Sequence, residues 1–99
     1  MSLENIKSKS HGFLNPNTYK RVNNHHVINL ANDKGEKLTR FYSYNSCIVQ
    51  IVGSRITLDK YYYNYSKTTS KYRNMFLQLD SKEVEKKIAS GEIELANLN

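Results

Sequence analysis

Apolar residues recur along this chain in two different periods, and the change of period divides it. Between Val27 and Leu58 they form short β-branched runs separated by polar clusters, whereas from Tyr72 onward they return at helical spacing. The first ten residues, Met1 to Ser10, lack either pattern and read as a flexible N-terminal tail. His11 to Asn24, with Gly12, Asn15, Pro16, Asn17, Asn23 and Asn24, reads as loop, because these residues supply turns and caps.

Val27 to Leu30 is a predicted short strand, Asn32 to Gly35 a turn, and Lys37 to Ser43 its antiparallel return. Ser46 to Val52 is apolar on both faces, as an interior strand requires. Gly53-Ser54 fits a two-residue hairpin turn with glycine where φ must be positive. That turn sets Val52 opposite Arg55, Ile51 opposite Ile56 and Val49 opposite Leu58, which gathers the last four on one face. The same register extends to Gln50 opposite Thr57 and Ile48 opposite Asp59 on the other face. Tyr61 to Tyr63 are taken as the end of the following strand. Tyr72, Met75, Phe76 and Leu79 make a helical stripe, with Ser66, Thr68, Thr69 and Ser70 available as caps. A second short helix starts at Ser81, carries Glu83 and Glu85 early and Lys86 and Lys87 late, and stops at Gly91. Glu92 to Leu98 alternates weakly and either adds a strand or stays loose. The expectation is one α+β domain over residues 11–99: an antiparallel meander of three to four strands packed by one main helix plus a short C-terminal helix.

Composition narrows the function. The 99 residues suit one core, and a mean hydropathy of −0.70 argues against a membrane protein. The longest apolar run, Cys47 to Val52, is broken by Gln50 and is far short of the roughly 20 residues of a membrane span. No secretion signal is read at the start, and a single cysteine forms no internal disulfide, so the cytoplasm of a bacterial host is the expected compartment. The net charge of +6 is uneven: residues 37–79 hold seven Lys or Arg against one acid, and seven of the eight tyrosines lie between Tyr42 and Tyr72. Cations interleaved with aromatic rings are what phosphate attraction and base stacking need.

The stretch Phe41-Tyr-Ser-Tyr-Asn-Ser-Cys-Ile48, followed by Tyr61-Tyr-Tyr-Asn-Tyr-Ser-Lys-Thr-Thr-Ser-Lys-Tyr-Arg-Asn-Met-Phe-Leu77, resembles small uncharacterised proteins of bacteriophages and other mobile elements. In them a Ser-Tyr-Asn-Thr-like strand precedes a Tyr-Ser-x-Thr-Thr-Ser-x-His-x-x-x-Phe-Leu-like segment. Here Ser46 replaces the Thr and Tyr72 the His, so any chemistry of that His is missing from this chain. The resemblance implies a mobile-element origin and, by analogy, action on host machinery or host defence.

Candidate binding residues follow from these patterns. Lys67, Thr68, Thr69, Ser70, Lys71 and Arg73 surround a helix start, where free amides and cations attract phosphate. Arg40, Arg55 and Lys60 on the preceding strands are expected to join them in one basic face, and Tyr42, Tyr44, Tyr61 and Tyr63 offer stacking platforms or core rings. Catalysis lacks a constellation: His25 and His26 diverge in a strand, Cys47 sits in the most apolar run, and Asp59 has no acidic partner. No enzyme activity, metal, cofactor or small-molecule substrate is therefore expected. Two readings compete: a nucleic-acid binder, with RNA or a single strand favoured over duplex, and an inhibitor docking on a host protein or nucleoprotein complex such as a CRISPR-type defence nuclease.

Overall fold

The computed structural model describes residues 6–99, and for residues 6–10 and Asn32 the backbone alone. Five strands run antiparallel in chain order: β1 (Ile6–Leu14), β2 (Arg21–Asn32), β3 (Lys37–Ser43), β4 (Ser46–Val52) and β5 (Arg55–Asp59). Two helices follow, α1 (Lys67–Leu77) and α2 (Ser81–Ser90), and carry the chain back so that β6 (Ile93–Ala96) pairs parallel with β5. This corrects the expected meander of three to four strands: the sheet has six strands and is mixed.

The largest departure lies at the N-terminal end. The segment expected as loop from His11 forms most of a hairpin, in which β1 and β2 pair from Ile6 with Asn32 to Leu14 with Arg21. Only the stretch from Asn15 to Lys20 turns, closed by the Asn15 amide on the Lys20 carbonyl. The expected tail is strand from Ile6; the part of it at residues 1–5 lies outside the described residues. Strand β1 pairs with β2 through its backbone, and a ladder leaves no period in the side chains.

The β4–β5 hairpin keeps the expected register from Val52 with Arg55 to Val49 with Leu58, and Gly53 takes φ 61° in its turn. Pairing stops short of Asp59, and Ile48 is the extra residue of a β-bulge, since Phe41 faces Val49 while Tyr42 faces Cys47. The bulge turns Ile48 into the core, where it is 1% exposed, instead of onto a mixed outer surface.

Both helices pack on the sheet face that carries Val27, Phe41, Val49 and Leu58. Phe13, Phe41 and Phe76 form an aromatic cluster with ring centroids 4.8 to 6.2 Å apart. Helix α1 starts on a Ser66 cap and ends with Gln78 at φ 58°; α2 starts on an Asp80–Glu83 capping box and ends at Gly91 with φ 84°. Leu79 lies between the helices yet still packs on the core.

Candidate functional site

The two stretches that carried the resemblance meet in space. Strand β3 ends at Ser43, Tyr44 turns the chain at φ 57°, and β4 begins at Ser46. Against this turn stands the start of α1. Between them opens a cleft of about 600 Å³, walled by the hydroxyl side chains of Ser43, Ser46, Ser66, Thr68 and Thr69 and by Tyr44, Tyr62 and Tyr65, with Ile48 at its floor. A second depression of about 380 Å³ shares Tyr44 and Thr68 with the first and is lined further by Lys20, Arg21 and Asn15. Together they make a groove with aromatic rings, hydroxyls and cations.

Behind the cleft runs a buried chain of hydrogen bonds. His25 Nδ1 lies 2.8 Å from the Asn23 carbonyl, which only accepts, so Nδ1 carries a proton and in the neutral ring Nε2 is the acceptor. Ser43 Oγ, 2.9 Å away, then donates to Nε2. With the Ser43 proton committed, Thr69 Oγ1 donates to Ser43 Oγ across 3.0 Å, and Ser66 Oγ donates to Thr69 Oγ1 across 3.1 Å. Ser66 also accepts the Thr69 amide as the helix cap. One carbonyl thus directs four side chains on β2, β3 and α1. The His25 ring is held by Tyr72 at 4.8 Å and by Tyr44 at 5.7 Å.

A second buried polar centre steers the chain past the cleft. Burial raises the Asp59 carboxyl, but hydrogen bonds from the amides of Leu98, Tyr62 and Tyr61 and from the Asn99 side chain outweigh it and hold the group below its ordinary value. Asp59 thereby caps the turn that holds Tyr61 to Tyr63, which the sequence reading placed on a strand end. Tyr61 projects to solvent, while Tyr62 and Tyr63 are half-buried.

The predicted binding residues fall into separate groups. Tyr44, Thr68 and Thr69 line the cleft, Thr69 itself being buried, and exposed Lys67 stands between the lining residues Ser66 and Thr68 in the chain. Ser70 is engaged with Asn64, and exposed Lys71 lies 5.3 Å from the Tyr72 ring centroid. Lys60 and Tyr61 pair with each other in solvent, 5.1 Å from ammonium to ring centroid. Arg40 and Tyr42 lie on the opposite sheet face, where Arg40 donates to Gln50 and Tyr42 stacks on His26 at 5.0 Å. Arg55 reaches Glu94 at 3.5 Å. A single basic face joining Arg40 and Arg55 to α1 is therefore not formed, because alternation along β3 and β5 turns both arginines from the helices.

Arg73 is interior. It is 2% exposed and donates to the Tyr63 carbonyl and to Asn74, and burial lowers its pKa. Tyr63 donates its hydroxyl to Glu85, and burial raises its pKa. Cys47 is enclosed, and burial pushes its thiol up to about 11.

Sequence reading missed His25, Ser43, Ser46, Tyr62 and Tyr65 as parts of one site. The signal available was the Tyr44-Asn45 turn facing a capped helix start. Among the described residues no three His, Cys, Asp or Glu side chains are grouped to hold a metal, and no helix is long and apolar enough to cross a membrane. No curated protein and no solved structure matches the chain. The model of a family of unknown function, DUF8033, matches residues 1–92, and the chain belongs to that family.

Proposed function

We propose that this chain binds single-stranded nucleic acid, RNA in preference, along the groove between the β3–β4 turn and the start of α1. The observation that carries the reading is the pair of rings at the cleft, Tyr44 at 53% and Tyr65 at 71% exposure, with exposed Lys20 and Arg21 lining the adjoining depression and exposed Lys67 next in the chain to the lining residues Ser66 and Thr68. Large rings held in water at a polar groove stack on unpaired bases, at about 1 to 3 kcal/mol per base. The cations supply sequence-independent attraction to phosphate. On this reading the protein is a nucleic-acid binder of mobile-element origin acting in the bacterial cytoplasm.

The test is fluorescence anisotropy with labelled single-stranded RNA, single-stranded DNA and duplex over a salt series. Affinity falls steeply with salt, is greatest for RNA, and drops about 5- to 150-fold in Tyr44→Ala or Tyr65→Ala, the range given by one lost stacking contact. Undetectable or salt-independent binding at low ionic strength refutes the proposal.

A different observation supports the runner-up reading, docking on a host protein or nucleoprotein complex such as a defence nuclease. The sheet face away from the helices carries Ile28, Leu30, Leu38 and Val52 only partly covered, with Arg40 and Tyr42 among them. Arginine and tyrosine amid apolar side chains are typical interface anchors. Pull-down from a bacterial lysate separates the readings: a host partner retained after nuclease treatment favours docking, and loss of all partners on digestion favours nucleic acid.

A further inference from the structure

The groups behind the cleft are arranged as a nucleophile, a base and an orienting acceptor. Ser43 Oγ stands 2.9 Å from His25 Nε2, and His25 Nδ1 is tied to the Asn23 carbonyl at 2.8 Å. Both distances lie in the range over which a serine is activated by a histidine whose tautomer is fixed from behind. The two residues are 18 apart in sequence and come together only because β2 pairs with β3, His25 opposite Ser43. Each is 3% exposed, yet Ser43 lines the cleft. Its oxygen donates one proton and accepts one from Thr69, which leaves a second lone pair for bond formation.

We propose that Ser43 is a nucleophile with His25 as its general base, and that the cleft accepts the acyl group of a small carboxylic ester bearing a flat aromatic alcohol. Tyr62 and Tyr65 supply the aromatic wall, and Ser46, Ser66 and Thr68 supply polar groups to the same lining. In the first step the Ser43 proton passes to Nε2, Oγ bonds to the carbonyl carbon, the ester C–O bond breaks, and the departing oxygen takes the proton from Nε2. In the second, water gives a proton to Nε2 and its oxygen attacks the acyl carbon. Ser43 Oγ leaves with that proton, and the carboxylic acid is released.

This assignment shares the cleft with the proposed nucleic-acid site, but its test reads a covalent adduct and does not depend on nucleic-acid binding. Full-length protein is incubated with a fluorophosphonate, which phosphonylates an activated serine with loss of fluoride, and is then read by intact mass and peptide mapping. One adduct per chain on Ser43 is expected. Ser43→Ala abolishes it and His25→Gln slows it about 100-fold or more, as removal of a general base does. p-Nitrophenyl acetate gives a burst of about one equivalent of nitrophenol, the mark of an acyl-enzyme. Both side chains are buried, so circular dichroism checks that the variants fold; should they not, the wild-type map decides. No adduct on the folded wild-type protein, or an adduct at another residue, overturns the proposal, whatever the anisotropy experiment returns.

Discussion

At the scale of residues, two buried charges organise the surroundings of the cleft. Asp59 is fully enclosed and receives hydrogen bonds from Tyr61, Tyr62, Leu98 and Asn99, and Asn99 also bonds both the amide and the carbonyl of Cys47. Because its folded pKa lies below the unfolded value, Asp59 contributes stability that is present above about pH 4 and lost as pH falls through the folded value. Chemical denaturation between pH 7 and pH 2 is expected to show this acid loss in the wild type and a flatter acid limb in Asp59→Asn, which starts from lower stability at pH 7. Arg73 is the cationic counterpart. Arg73→Ala leaves the Tyr63 carbonyl and Asn74 without their donors and costs about 2 to 4 kcal/mol in urea unfolding. Arg73→Lys restores little of it, since an ammonium lacks the guanidinium fork. Whatever Arg73→Ala does to binding follows the folded fraction alone.

At the scale of elements, β1 and the helix caps separate what local chemistry determines from what pairing determines. Phe13 was read as loop, yet it packs edge-on against Phe41 at 5.1 Å, so Phe13→Ala is expected to lower stability by about 3 to 5 kcal/mol in thermal or urea unfolding. Asp80→Ala removes the α2 capping box and costs about 1 kcal/mol by the same measurement, with no effect on the cleft. Both helices were legible in sequence, α1 from its stripe and the hydroxyls before it and α2 from its early acids, late lysines and Gly91, because these signals lie within a dozen positions of one another; the end of α1 at Gln78 carries no glycine and was not. The β4–β5 register was legible too, since a two-residue turn leaves the hairpin one pairing consistent with its apolar positions. The bulge at Ile48 was not, because it depends on how β3 and β4 pair across the longer reach of the sheet.

At the scale of the whole molecule, the cations of residues 37–79 do not gather on one surface. The sheet face away from the helices takes Arg40 and Arg55, Lys67 and Lys71 stand exposed on α1, and Lys20 and Arg21 line the depression beside the cleft. Reversal of charge at the groove, Lys67→Glu with Lys71→Glu, is expected to weaken binding of single-stranded RNA about tenfold or more at low salt. The same reversal at Lys86 and Lys87 on α2 leaves affinity nearly unchanged; Lys87 is occupied by Glu92 at 2.9 Å. Anisotropy titrations at one salt concentration check the pair, and equal losses in both variants place the binding surface elsewhere.

By itself the sequence determined the features whose causes are local: the period of each apolar run, a hydroxyl cap for α1 among Ser66, Thr68, Thr69 and Ser70, the Gly53 turn and the termini of α2. The candidate site was legible in its helix half, Ser66 to Ser70, and in Tyr44 alone of the other half. The rest of that half required the fold, because His25 meets Ser43 by strand pairing and Ser43 meets Thr69 by the packing of α1 on the sheet. The tertiary structure likewise decided which cations face outward together, since the alternation of a strand sends neighbours to opposite faces and says nothing of which face the helices will cover.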